Sequence, residues 1–388
     1  MRASPLELLP LHHARAARVL AATLSAAAFG FAACDLGDAV RVPVRGPAPT
    51  ATVFGSTELT PAGEPVRTQL GALAAGPGTV LLSASFVVQL DRFALPTSAV
   101  RQAVCLRPDL TPPTTLSDCS GAVFLEPAYD PVRRTLTLRQ PAGARLSPDT
   151  EYRLTLFAAT SDAPCASDAA GCGLRAFDGA PLAAPVSVDF RTVAADPAGA
   201  TDDLAPTDSV EAFCARAWCQ ACCDSSADPN ACKQTCPAGA LTTLASNCGG
   251  PVCHGSSFSP EGAMGLALHG PAVIRETAVG VVAHQTQTGE VATSPESSPS
   301  RFGRSMAIVD PGAPAGSYLL YKALAHDQQA LGASPDEVQR LRNGLLSGDS
   351  MPPSEGYAPL APDALDNLSR WIATGAYAEA CPPPPSCP

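Results

Sequence analysis

Cys248 and Cys253 are separated by four residues, and His254 follows the second directly, in the stretch NCGGPVCHGSS. Two thiols can add to the vinyl groups of a haem as thioethers, and a histidine held beside the second can ligate the iron. The familiar attachment spacing has two intervening residues. Here Gly249 and Gly250 are expected to let the longer loop bend, because glycine reaches backbone conformations that other residues avoid. The same three residues also suit a disulfide beside a surface histidine.

Such a site needs elements on either side of it. Upstream, PAGALTTLASN predicts a short helix with Leu241 and Leu244 on one side, ending at the loop. Downstream, Met351 stands on a Gly- and Pro-bounded loop before a helix that buries Leu365, Leu368, Trp371 and Ile372 and stops at Gly375. Between them MAIVDPGAPAGSYLLYKAL reads as a turn and a helix opened by Ser317. SPDEVQRLRNG reads as a second helix, with Ser334 as cap, Pro335 at its first position and Glu337 completing a capping box.

In order, these motifs are Cys-His-Gly, VDPG.P..SYL..KAL, MPP and L..L..WI..GA. The series resembles the c-type cytochrome domains of large exported bacterial proteins over Ala238 to Ala376. The resemblance implies an all-α cytochrome c-like domain holding haem c. Cys248 and Cys253 would be the covalent attachments, with His254 as proximal and Met351 as distal iron ligand. Trp371 would pack the last helix against the one leading into the loop. The spacer and the polar stretch HQTQTGEVATSPESSPSRFGR depart from the pattern. His269, His284 and His326 stand in no matching motif and are alternative distal ligands only. Met264 and Met306 lack the adjacent prolines and read as packing residues.

The chain has 388 residues, 46% hydrophobic, enough for several domains with cores of their own. Forty prolines, 31 glycines and 16% charged residues favour short strands, turns and linkers. A net charge of -11, with lysine almost absent, argues against nucleic-acid binding, which needs clustered cations for the phosphates. Fifteen cysteines, many close in sequence, suggest an oxidising compartment.

The N-terminus agrees with export. Arg15 and Arg18 precede an apolar run from Val19 to Ala33 that reads as the core of a signal peptide. The run ends FAAC, which resembles a bacterial lipobox, with Phe31 in the place usually held by leucine. That resemblance implies that Cys34 is lipidated and that the chain is anchored to an envelope membrane, outer membrane or cell surface. Cleavage near Ala33 without lipidation is the alternative.

The expected organisation is a signal segment over 1–34, a tether over 35–50 and a β-sandwich over 51–192. A linker over 193–207 leads to a Cys-rich helical hairpin over 208–237, a cytochrome-like domain over 238–380 and a Pro/Cys tail over 381–388. The strand-like runs TVLLSASFVVQL, AVCL, AVFLEP, RTLTLRQP, EYRLTLF and VSVDFRT alternate apolar and polar residues. The segment from Leu146 to Thr192 resembles the bacterial Ig-like domains of cell-surface and S-layer proteins. Cys105 with Cys119, and Cys165 with Cys172, have separations suited to local disulfides.

In the hairpin, Asp208 with Glu211, and Asp228 with Pro229, mark two helix starts. Cys219 and Cys223 share one helical face, as do Cys232 and Cys236. Antiparallel packing would align Cys219 with Cys236 and Cys223 with Cys232. A zinc site is the alternative for these four. Cys214 and Cys222 remain for each other or for Cys381 and Cys387.

The multidomain fold class thus expected, an all-β Ig-like sandwich, a disulfide-rich helical hairpin and an all-α domain, points to an envelope-anchored electron carrier with a redox partner protein. Iron held by His254 and Met351 would have no open position, which suits electron transfer better than catalysis. A non-haem structural or adhesion lipoprotein is the alternative. A two-haem peroxidase would need a second attachment motif, which the sequence lacks.

Overall fold

Alternation of apolar residues builds the first half of the chain. In the computed structural model, which describes residues 45–384 except 62, 72–77, 161–164, 166–170, 201–207, 238, 251–252, 256–264, 284–305, 327–330, 347–348 and 354–355, nine strands form two sheets. The strands are β1 (Ala51–Leu59), β2 (Pro65–Gln69), β3 (Gly78–Val80), β4 (Phe86–Leu90), β5 (Val104–Arg107), β6 (Glu126–Asp130), β7 (Thr135–Arg139), β8 (Glu151–Leu156) and β9 (Val186–Thr192). One sheet is antiparallel, in the order β2-β1-β4-β7-β6. The other runs β3-β9-β8-β5, with β3 parallel to β9.

Register follows the buried residues. Phe86 pairs with Leu138 and Val88 with Leu136 in the first sheet, and Tyr152 with Phe190 and Leu154 with Val188 in the second. All of these are buried. The sheets meet where the Phe86 and Phe190 rings lie 5.0 Å apart. The run TVLLSASFVVQL is not one strand, since β3 and β4 belong to different sheets. The turn between them is held by the Asp196 carboxylate, which accepts from the Leu82 and Ser83 amides at 2.5 and 3.0 Å. The Gln140 amide donates to the Leu82 and Ala84 carbonyls of the same turn. Disulfides join Cys105 to Cys119 and Cys165 to Cys172.

The second half carries α1 (Ser209–Cys223), α2 (Pro229–Thr235), α3 (Ala240–Asn247), α4 (Pro271–Thr277), α5 (Tyr318–Leu324), α6 (Pro335–Leu345) and α7 (Pro362–Ala373). Asp208 caps α1 through the Val210 amide, and Asp228 caps α2 through that of Ala231. Trp371 is fully buried and stacks on Phe213 of α1 at 5.7 Å, while α7 packs against both α1 and α3. The C-terminal segment is tied back over α1 by the Cys214–Cys381 disulfide and by a hydrogen bond from Trp218 Nε1 to the Pro382 carbonyl. Cys222 is also disulfide-bonded.

The expected fold class is corrected here. The chain is mixed α/β, and its helical half is not an all-α cytochrome c domain. The described residues all fall within one compact unit. Phe93, Leu95, Val132 and Phe177 from the strand-rich half share a core with Phe213, Leu320, Leu341 and Trp371 from the helical half. Extended bridges also run among the helices, pairing Val279 with Val309 and Val282 with Ala307. Sheets of five and four strands with a parallel pair do not establish an Ig-like sandwich either. The sequence periods identified helices and strands, but a helix shows the same apolar stripe whether it buries it against helices or a sheet.

Polar contacts bind the halves. Buried Arg92 donates from Nη2 to Asp178 at 2.6 Å and from Nε to Glu337 of α6 at 2.9 Å. The Phe93 amide donates to the other Glu337 oxygen at 3.0 Å. Arg133 forms a two-pronged pair with Asp366 of α7, and the Ser369 hydroxyl donates to Asp130 at 2.7 Å.

Candidate cofactor-attachment site

Helix α3 ends at Asn247 and presents Cys248 as its C-cap, with the Cys248 amide bonded to the Leu244 carbonyl. The loop then returns on itself. The His254 amide donates to the Cys248 carbonyl at 3.0 Å, and the Cys253 amide donates to the Gly250 carbonyl at 3.0 Å.

Close approach, not unusual dihedrals, explains the glycines. A Cβ on Gly249 would lie 2.8 Å from the Ala245 carbonyl oxygen and 2.9 Å from the His269 Cα. One on Gly255 would lie 2.6 Å from the Gly250 oxygen. Neither residue has a positive φ, and a Cβ on Gly250 would meet nothing within 4 Å. The expectation of special backbone angles at Gly249 and Gly250 is therefore replaced by a steric requirement at Gly249 and Gly255.

His254 is fixed from one side. Its Nδ1 lies 3.1 Å from the Leu266 carbonyl and donates to it, while its own carbonyl accepts from the Leu268 amide at 3.0 Å. Burial pushes the imidazole below its ordinary pKa, so it is neutral at pH 7 with the lone pair on Nε2. No described residue bonds that nitrogen. A metal-ligating histidine is commonly oriented in this way, by a backbone carbonyl on its other nitrogen.

The two thiols stand apart from the rest of the chain. Cys248 and Cys253 are free, while every other described cysteine is disulfide-bonded. Cys248 is 6% exposed, in a core that includes Leu244, Leu268 and Ile274. Burial pushes its thiol up to about 12, with the neighbouring Cys253 adding to the effect. The thiol is accordingly neutral and inert toward simple anionic chemistry.

Met351 is fastened to α5 by its backbone. Its amide donates to the Lys322 carbonyl at 2.9 Å, and the Lys322 ammonium donates to the Asp349 carbonyl at 2.6 Å, so one residue holds the loop at two points. The Lys322 charge also acts on His254. Lys322 is 5% exposed, and burial lowers it to about 8. Sequence reasoning missed Lys322. It also missed the Leu266 carbonyl, which as a backbone group leaves no mark on residue type.

The other candidates are placed differently. His326 is buried, with Nε2 3.0 Å from the Tyr357 carbonyl, and exposed His269 has Nδ1 3.4 Å from the His254 carbonyl. Met306 is buried in the helical core. Cys34, His284 and Met264 lie outside the described residues. In the hairpin, the sulfurs of Cys219, Cys223 and Cys236 lie within 4.8 Å of one another, close enough for a metal. They are instead used in the disulfides Cys219–Cys236 and Cys223–Cys232.

Among the described residues the site brings together two thiols outside any disulfide and an imidazole anchored at Nδ1 with no described partner at Nε2, donor types that could hold a covalently attached haem. Among the described residues no helix is long and apolar enough to cross a membrane. Compared with known proteins, the chain matches no family, no curated protein and no solved structure.

Proposed function

We propose that this chain is an exported, envelope-anchored haem protein that carries electrons to or from a partner protein. Cys248 and Cys253 would hold haem c, and His254 and Met351 would ligate its iron. The observation that carries the reading is the anchoring of His254 Nδ1 on the Leu266 carbonyl beside two unbonded cysteines, every other described cysteine being disulfide-bonded. The bound group would supply a one-electron ferric/ferrous couple. The chain's own contribution is to fix the imidazole, bring the Met351 loop onto α5 and exclude water with the Leu244, Leu268 and Leu320 core.

The test is haem staining on a denaturing gel, after maturation in a host that attaches haem c. Retention of about one haem per chain, lost in the Cys248→Ser, Cys253→Ser double variant, is the expected result. A stain-negative parent with a mapped Cys248–Cys253 disulfide would overturn the reading in favour of a non-haem scaffold lipoprotein.

Anchoring is a separate part of the proposal, resting on the apolar run that ends at Cys34. Cys34→Ser should move the protein from the membrane to the soluble fraction or stall its processing. Mature Cys34→Ser protein still in the membrane fraction would count against lipidation.

A further inference from the structure

The hairpin of α1 and α2 sets two disulfides side by side. Cys223 Sγ lies 3.9 Å from Cys236 Sγ, although each is bonded to a different cysteine. These two inner residues are buried, at 2% and 5% exposure. Cys219 and Cys232 are more exposed. They line an open groove of about 760 Å³ with Trp218, Cys222, Cys223 and Pro382. An incoming thiolate therefore meets Cys219 or Cys232 more readily than their partners, and attack on either expels a buried sulfur next to the other bridge.

We propose that the two bridges form a thiol–disulfide exchange relay for a dithiol reductant docking in this groove. Attack on Cys219 forms a mixed disulfide with the reductant and breaks the bond to Cys236, which leaves as thiolate. Cys236 then attacks Cys223, forming Cys223–Cys236 and expelling Cys232 as thiolate, which takes a proton from water. The reductant's second thiol closes on the mixed disulfide and releases Cys219. In sum, the dithiol is oxidised to a disulfide by loss of two electrons, and the protein goes from two bridges to one plus two thiols. The second step is favoured because it moves negative charge from a buried sulfur to one in contact with water. Entry at Cys232 gives the same product. The relay does not depend on haem.

The experiment uses the full exported chain. Free thiols are blocked with iodoacetamide, one equivalent of dithiothreitol is added, and the reaction is quenched in acid, labelled with N-ethylmaleimide and mapped. The expected first product carries two labels, on Cys219 and Cys232, with a new Cys223–Cys236 bridge. Labels on Cys219 with Cys236, or on Cys223 with Cys232, would mean reduction in place and overturn the relay. So would earlier labelling of any other bridge. The Cys223→Ser, Cys232→Ser variant has no second bridge to attack and must label Cys219 with Cys236, which calibrates the mapping.

Discussion

Alanine at Met351 in the proposed haem protein is expected to leave haem attached through Cys248 and Cys253 while removing one of the two residues that would ligate its iron. The Met351 loop is fastened to α5 by the amide bond to the Lys322 carbonyl and by the Lys322 ammonium on Asp349. Neither fastening uses the Met351 side chain, so the substitution removes the thioether and keeps the loop. A thioether ligand favours ferrous iron and raises the potential. The variant's potential should fall, its low-spin spectrum should be lost, and carbon monoxide should bind where the parent excludes it. His254→Ala should instead prevent stable haem incorporation, since it deletes the imidazole that Leu266 orients. An unchanged low-spin spectrum and potential in haem-loaded Met351→Ala would make the methionine assignment wrong. His269 and His284 would then be tested first, because the Nε2 of His326 already lies against the Tyr357 carbonyl.

What the sequence made legible was local. Four-residue spacing put Cys219 and Cys223, and Cys232 and Cys236, on facing stripes of two helices, and the bonds in the structure join those stripes. Helix starts at Asp208, Asp228 and Ser334 were also readable, because a short oxygen-bearing side chain before a helical run has one common local use. Ser317 does open α5, at its N-cap position, but its side chain makes no cap bond to the helix. Its hydroxyl accepts from the Asp310 amide and donates to the Ala313 carbonyl, closing the preceding turn.

What was not legible was long-range. Glu337 sits three residues after Ser334 and reads as half of a capping box. The Ser334 half is present, but the Glu337 carboxylate turns to Arg92 and the Phe93 amide, 245 and 244 positions away. No pattern around Glu337 marks that choice, because it depends on where the strand-rich half lies. The same blindness produced the wrong fold class. The α7 stripe of Leu365, Leu368, Trp371 and Ile372 is evident in the sequence, but a core it shares with Phe93 and Phe177 is not.

The seam offers the largest expected loss of stability. Arg92→Ala removes the cation between Asp178, which is 0% exposed, and Glu337, which is 2% exposed. Each carboxylate keeps backbone donors, Gly46 and Ala180 for Asp178 and Phe93 for Glu337, but neither keeps a fully buried countercharge. Breaking a buried pair from one side costs about 3–5 kcal/mol. Burial alone would raise Asp178; bonds from Arg92, Gly46 and Ala180 outweigh it and hold the carboxyl below its usual value. A depressed carboxylate stabilises the fold above its unfolded pKa of about 4, and that contribution is lost as pH falls through the lower folded value. In the variant, burial is opposed at Asp178 by the Gly46 and Ala180 donors without the guanidinium, and protonation relieves the charge that remains. The gap between parent and Arg92→Ala in urea unfolding should therefore be widest near neutral pH and narrow in acid. Because Arg92 joins strand-rich and helical halves, both should lose stability together, in one transition. A gap below about 1 kcal/mol at pH 7, the range of an exposed ion pair, would show that the seam is not held by this cation.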